Sequence, residues 1–200
     1  MAERERAPGP LLDEYLVALS QAGSAEALDG LARRWTPRLL RYAARMLGGS
    51  SGSAEAARDV VQDTWVGVVR GLRTLRDPAQ FPAWIYGIAT RKCVDYIRVQ
   101  MRRRRFDVRA ADEGTPVVAV TSEEQIDLAT AVRALPPIHR AAVHLFYGED
   151  LSVDEIAVIL KIPAGTVKSR LHHAREALKT QLAGAPAARR VSGARRREMS

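Results

Sequence analysis

Apolar positions recur along almost the whole chain at the spacing of an α-helix, and no run keeps the alternation of a strand. Leu12, Leu16 and Leu19 share one face of a short opening helix, and Leu28, Leu31 and Trp35 resume the pattern after Gly23-Ser24. Thr36 before Pro37 reads as an N-cap with proline at the first helical position, so a new helix is expected there. It would carry Leu39, Leu40, Tyr42, Ala43 and Met46 and close at Gly48-Gly49, with GGSSGS (48–53) as a flexible turn. Val61, Trp65, Val68 and Leu72 then fall at i, i+4, i+7 and i+11, an amphipathic stripe. After a loop over 73–80, Phe81-Pro82 opens a helix expected to end near Arg105. Ile85, Ile88, Ala89 and Ile97 line its apolar side, with Arg91, Lys92, Asp95 and Arg98 opposite.

Periodicity fails over 107–121, which carries Gly, Pro and much of the acid, and reads as a linker. Ser122 with Gln125 forms a capping-box pair, and Pro136-Pro137 ends one helix and starts another that Gly148 closes. Ser152 with Glu155 is a second capping box, opening a helix through Leu160; Pro163 stops it, and a last helix runs from Ala164 to Leu182. The pattern predicts an all-α protein of two small helical domains, 11–106 and 122–183. They are flanked by a disordered N-terminus (1–10) and a basic disordered tail (184–200).

Composition narrows the function. Hydrophobic residues at 46% suffice for a packed core over 200 residues, and aromatics at 6% favour small helical cores. No apolar run is long enough to span a membrane, MAERERAPGP lacks the apolar segment of a secretory signal, and a soluble cytoplasmic protein is expected. The single cysteine, Cys93, excludes an internal disulfide or a multi-cysteine zinc site, and is expected to be structural. Neither a metal nor another cofactor is expected. The net charge of +8 is unevenly spread: +7 over 1–106, −5 over 107–132 and +6 over 133–200. Two basic blocks around an acidic stretch suit two nucleic-acid-facing modules joined by a segment that stays off the phosphates.

The sharpest motif is LSVDEIAVILKIPAGTVKSRLHHAREALK (151–179): helix, short turn, helix, the geometry of a helix-turn-helix. Val167, Leu171, Ala174 and Leu178 anchor the second helix, leaving Lys168, Ser169, His172, His173 and Arg175 exposed as donors for phosphates and base edges. Ser152 and Ser169 lack a base and orienting acid, and there is no glycine-rich phosphate loop, so an enzyme is not expected.

Residues 135–179 resemble region 4 of the extracytoplasmic-function (ECF) sigma factors of the sigma-70 family, most recognisably at GTVKSRLHHAR. DVVQDTW (59–65) resembles the core of the family's region 2.2, and FPAWIYGIATRKCVDYIR (81–98) the helix of regions 2.3–2.4. The resemblance implies a factor that binds bacterial core RNA polymerase, recognises the −10 and −35 promoter elements and opens the DNA strands for transcription initiation at a specialised regulon. Polymerase contacts would come from Asp59, Gln62 and Asp63. The −10 element would be held by Arg76, Asp77 and Gln80 of the loop and by Arg91, Lys92, Asp95 and Arg98, with MRRRR (101–105) adding phosphate contacts. The −35 duplex would be read by Thr166, Lys168, Ser169, Arg170, His172, His173 and Arg175. Stacking a flipped base at about 1–3 kcal/mol offsets an unstacking cost of a few kcal/mol, so strand opening without ATP is physically sound. An anti-sigma factor is a further implied partner. Location would be the cytoplasm, at the nucleoid through polymerase, with no direct membrane insertion. The chain departs from the family pattern at Arg58, Arg91, Phe146, Asp150 and His173, where an acid, asparagine, arginine, glycine and arginine are usual. The competing reading is an autonomous helix-turn-helix regulator, which leaves the first module without a purpose.

Overall fold

Eight α-helices and no strand make up the residues that the computed structural model describes, 10–48, 53–111 and 128–183. The break at Gly23-Ser24 is a true boundary. Helix α1 (Pro10–Gln21) ends before Gly23, whose φ of +104° suits glycine, and Ser24 caps α2 (Ala25–Leu47) by accepting the Ala27 N–H at 3.1 Å. Helix α2 does not restart at Thr36; it runs unbroken through Pro37. Continuity keeps Leu31, Trp35, Leu39, Tyr42 and Met46 on one buried stripe, and that burial outweighs the hydrogen bond the proline cannot make. The Thr36 hydroxyl, expected as a cap, instead accepts Trp65 Nε1–H at 3.0 Å from α3 (Ser53–Gly71).

Two short 3₁₀ turns (Leu72–Thr74 and Pro78–Gln80) lead into α4 (Phe81–Ala111). This helix passes its expected end near Arg105, so 107–111, assigned to the linker, are helical. Arginine and alanine are strong helix formers, which accounts for the extension. The first half closes around aromatic rings: Trp35 meets Phe81 and Tyr86 edge-on at 5.6 and 5.8 Å, and Tyr42 meets Tyr86 at 5.4 Å. Tyr42 is fully buried with its hydroxyl 2.7 Å from that of Thr90.

The second half comprises α5 (Leu128–Ala134), α6 (Pro137–Val143), α7 (Val153–Leu160) and α8 (Ala164–Ala183). Pro136-Pro137 separates α5 from α6 as expected, but α6 leaves through a π-helical turn, His144–Gly148, rather than ending directly at the glycine. The Ser122–Gln125 cap, the N-terminus and the tail lie outside the described residues.

The halves are packed together. A Cβ on Gly87 of α4 would lie 3.2 Å from the Ile159 carbonyl oxygen of α7, a close approach of backbone to backbone. Arg140, 4% exposed, donates to the Met46 carbonyl at 2.8 Å and the Leu135 carbonyl at 3.1 Å, and also to that of Arg133. Glu149 accepts from the Arg45 guanidinium and the Tyr86 hydroxyl. A charged clasp therefore joins modules that the sequence reading connected through a linker alone.

Candidate nucleic-acid interface

Local sequence sets the helix-turn-helix. Ser152 accepts the Glu155 N–H at 3.2 Å and Glu155 accepts the Ser152 N–H at 2.8 Å, a reciprocal box that starts α7. Lys161 ends α7 in the left-handed region (φ +53°), and the Thr166 N–H reaches back to the Pro163 carbonyl at 2.9 Å as α8 begins. Val167, Leu171 and Ala174 are buried, with Leu178 packed against the core. Lys168, Ser169, His172, His173 and Arg175 stand exposed, while Thr166 and Arg170 are half-buried.

The exposed face is strongly positive. Among the described residues no carboxylate lies within ion-pair distance of Lys168, Arg170 or Arg175; Lys179 pairs with Glu176 at 2.7 Å nearer the helix end. The Ser169 hydroxyl bonds its own helix, donating to the Gly165 carbonyl at 3.1 Å. His173 stacks with His139 of α6 at 6.2 Å between centroids. Burial, then the Arg170 and His173 charges, hold His139 below the usual imidazole range.

In the first half the expected polymerase-facing residues Asp59, Gln62 and Asp63 line the exposed side of α3. Beside them a shallow groove of 310 Å³ is lined by Gln62, Trp65, Val66, Val69 and Arg70, with Val69 61% exposed. The expected −10 residues divide. Arg76, Asp77 and Gln80 are exposed on the loop, and Asp77 also caps the second 3₁₀ turn by accepting the Ala79 N–H at 3.0 Å. On α4, Arg91 is exposed, Asp95 lies 3.9 Å from Arg98, and Lys92 donates to Asp63 at 3.1 Å. That ion pair joins the two surfaces assigned to different partners. Phe81 belongs to the core, and Trp84 is half-buried against it.

Cys93 is buried and its thiol is pushed up to about 12, which keeps it neutral and inert. Among the described residues no group of three His, Cys, Asp or Glu side chains is placed to hold a metal ion, and no helix is long and apolar enough to cross a membrane. Sequence reasoning missed the clasp: Arg45, Tyr86, Arg140, His144 and Glu149. One signal was present, since Arg140 is a lone charge inside the apolar run of α6. It missed Tyr147 as well, whose hydroxyl accepts the Arg175 Nε–H at 2.9 Å.

A family model for sigma-70 region 2 matches residues 31–103, and one for sigma-70 region 4 matches residues 125–178. The ECF RNA polymerase sigma-E factor of Escherichia coli K12 is 31% identical over 182 residues, covering 84% of this chain and 93% of that protein. The chain belongs to the ECF RNA polymerase sigma factors. Promoter recognition and transcription initiation are the function that goes with membership. A second ECF sigma factor, SigE of Mycolicibacterium smegmatis, is 35% identical over 165 residues; the match takes in 78% of this chain and 61% of that longer protein. Among solved structures, the sigma factor RpoE of Bartonella quintana, in complex with the anti-sigma factor NepR, shares the fold. Its TM-score is 0.55 at 23% identity, covering 78% of this chain and 96% of that one.

Proposed function

We propose that this ECF sigma factor divides its work between the two halves of the chain. The module 11–106 docks on core RNA polymerase through Asp59, Gln62 and Asp63 and the apolar groove beside them. It holds the −10 element with Arg76, Asp77, Gln80, Arg91, Lys92, Asp95 and Arg98. The module 122–183 reads the −35 duplex with α8, through Thr166, Lys168, Ser169, Arg170, His172, His173 and Arg175. The segment that follows α4 links them. The observation that carries this reading is the exposed, carboxylate-poor basic face of α8, set on a capped helix-turn-helix within the region 4 match.

Partners are core RNA polymerase, promoter DNA and an anti-sigma factor, and the site of action is the cytoplasm. The chain itself makes and breaks no bond; polymerase does the chemistry. Run-off transcription with bacterial core polymerase on fragmented genomic DNA, with and without the protein, tests the reading. Discrete new 5′ ends that share two upstream elements are expected. No new starts and no binding to core polymerase, with specific DNA still shifted, would make it an autonomous regulator.

A further inference from the structure

We propose that Tyr147 is a positioning residue for −35 recognition: it fixes the Arg175 guanidinium so that the terminal nitrogens read a guanine. The proposal rests on the reading of α8 as the −35 helix and adds a residue outside it.

The argument begins at the π-helical turn His144–Gly148. Such turns insert one residue into a helical ladder, which re-aims the side chains that follow. Here Phe146 is packed against the hydrophobic core, while Tyr147 is 60% exposed and meets the Phe146 ring edge-on at 4.9 Å. The turn is held from behind by Glu149, bound to Arg45 and Tyr86 of the first half. Its exit passes through Asp150 in the left-handed region (φ +58°), which aspartate adopts more readily than most residues. Tyr147 therefore projects from a fixed base.

The tyrosine reaches a single recognition-helix side chain. Its hydroxyl accepts Arg175 Nε–H at 2.9 Å, and the guanidinium carbon lies 6.0 Å from the ring centroid. Engaging Nε leaves both terminal nitrogens of the fork free, and that pair matches guanine O6 and N7 in the major groove. Arg175 lies on the same flank of α8 as Lys168, about two turns away, so both can face one groove. An arginine left free on the surface would lose rotamer freedom on binding; one already held by a hydroxyl and a ring loses less.

The test is transcription by the holoenzyme, full chain with core polymerase, from a promoter library randomised across the −35 element. Wild type is expected to favour guanine at one position by roughly 5- to 150-fold, the range of a bidentate arginine contact. Tyr147→Phe keeps the ring and the charge but removes the acceptor. It should lower that preference several-fold, leaving other positions and the salt dependence unchanged, and Arg175→Lys should erase it. Both side chains are exposed, so thermal melting should not move. Unchanged guanine preference in Tyr147→Phe, or an equal loss at every position in either variant, overturns the assignment, the second result marking a phosphate contact. Wild type indifferent to the whole −35 element overturns the underlying reading instead.

Discussion

The two halves of the chain solve one packing problem with different material. In the first, Trp35, Tyr42, Phe81 and Tyr86 meet edge-to-face, and each ring buries 150–250 Å² as a rule. In the second, the buried apolar set from Ala131 to Ala174 is aliphatic throughout: Ala131, Leu135, Ala141, Ala142, Val143, Leu145, Ile156, Ile159, Val167, Leu171 and Ala174. Short helical domains with small side chains are marginal by themselves. The second half also rests on the first through Arg140, Glu149 and the α4–α7 contact, so part of its stability is expected to come from there. Those contacts lie away from the exposed basic face of α8, which stays uncovered.

The largest test of this contrast is Phe81→Ala. Phe81 is fully buried between Trp35 and Trp84, and its loss should cost about 4 kcal/mol. Urea denaturation should show both halves losing stability, because the second loses the platform it rests on. Next comes Arg140→Ala at about 3 kcal/mol, since the carbonyls of Met46, Arg133 and Leu135 lose a charged donor in a buried site. Hydrogen exchange should then accelerate more in α5–α8 than in α2–α4. Equal acceleration in both would mean that the second half is no dependant.

The helices were legible because burial on one side leaves a 3.6-residue stripe. Val61 and Val68 of α3, Leu72 just beyond its end, and Val167, Leu171 and Ala174 of α8 are buried as their spacing predicts. The region 4 face was legible for the same reason: exposed donors are what remain once the stripe is assigned. Local signals misled where tertiary packing overrode them. Thr36-Pro37 looks like a helix start, yet Trp35 and Leu39 bury on either side of it and hold α2 continuous. The clasp was hidden because Arg45 and Glu149 are far apart in sequence and each, by itself, reads as an ordinary surface charge. The Tyr147–Arg175 contact was hidden by the π turn, which shifts the register that a regular helix would have kept.

Acid should act on the interface with a smaller effect. His144 lies at the back of the π turn, its pKa lowered from 6.5 to about 4 by burial first and then by the Arg45 and Arg140 charges. A hydrogen bond with the Arg45 backbone opposes the shift. The unfolded chain therefore takes up this proton before the folded one does. The stabilisation is complete above pH 6.5 and is lost as pH falls towards 4. The shift alone corresponds to about 3 kcal/mol, and partial contact with water reduces that to roughly 2. His144→Phe should flatten most of the slope of stability between pH 6.5 and 4, with His139 supplying a remainder of the same sign. An unchanged slope would place the acid sensitivity elsewhere.

The smallest effect is the most discriminating. Glu149→Gln keeps the shape of the side chain but only one of its two acceptors: with the amide oxygen on the Tyr86 hydroxyl, the NH2 group faces Arg45, so the charge and the acceptor there are lost together. The Glu149 side chain is 12% exposed and that of Arg45 38%, so the pair is half-screened and the substitution should cost about 1 kcal/mol. The decisive readout is salt. If the clasp is an ion pair, the wild-type stability should fall as sodium chloride rises from 0.05 to about 1 M, where the Debye length shrinks to about 3 Å. The Glu149→Gln protein should respond much less. If both respond alike, the interface holds by the α4–α7 contact and by Arg140, whose hydrogen bonds to carbonyls are too buried for salt to reach. The second half would then depend on the first through packing and the buried Arg140 hydrogen bonds, with the Arg45–Glu149 charge contributing little.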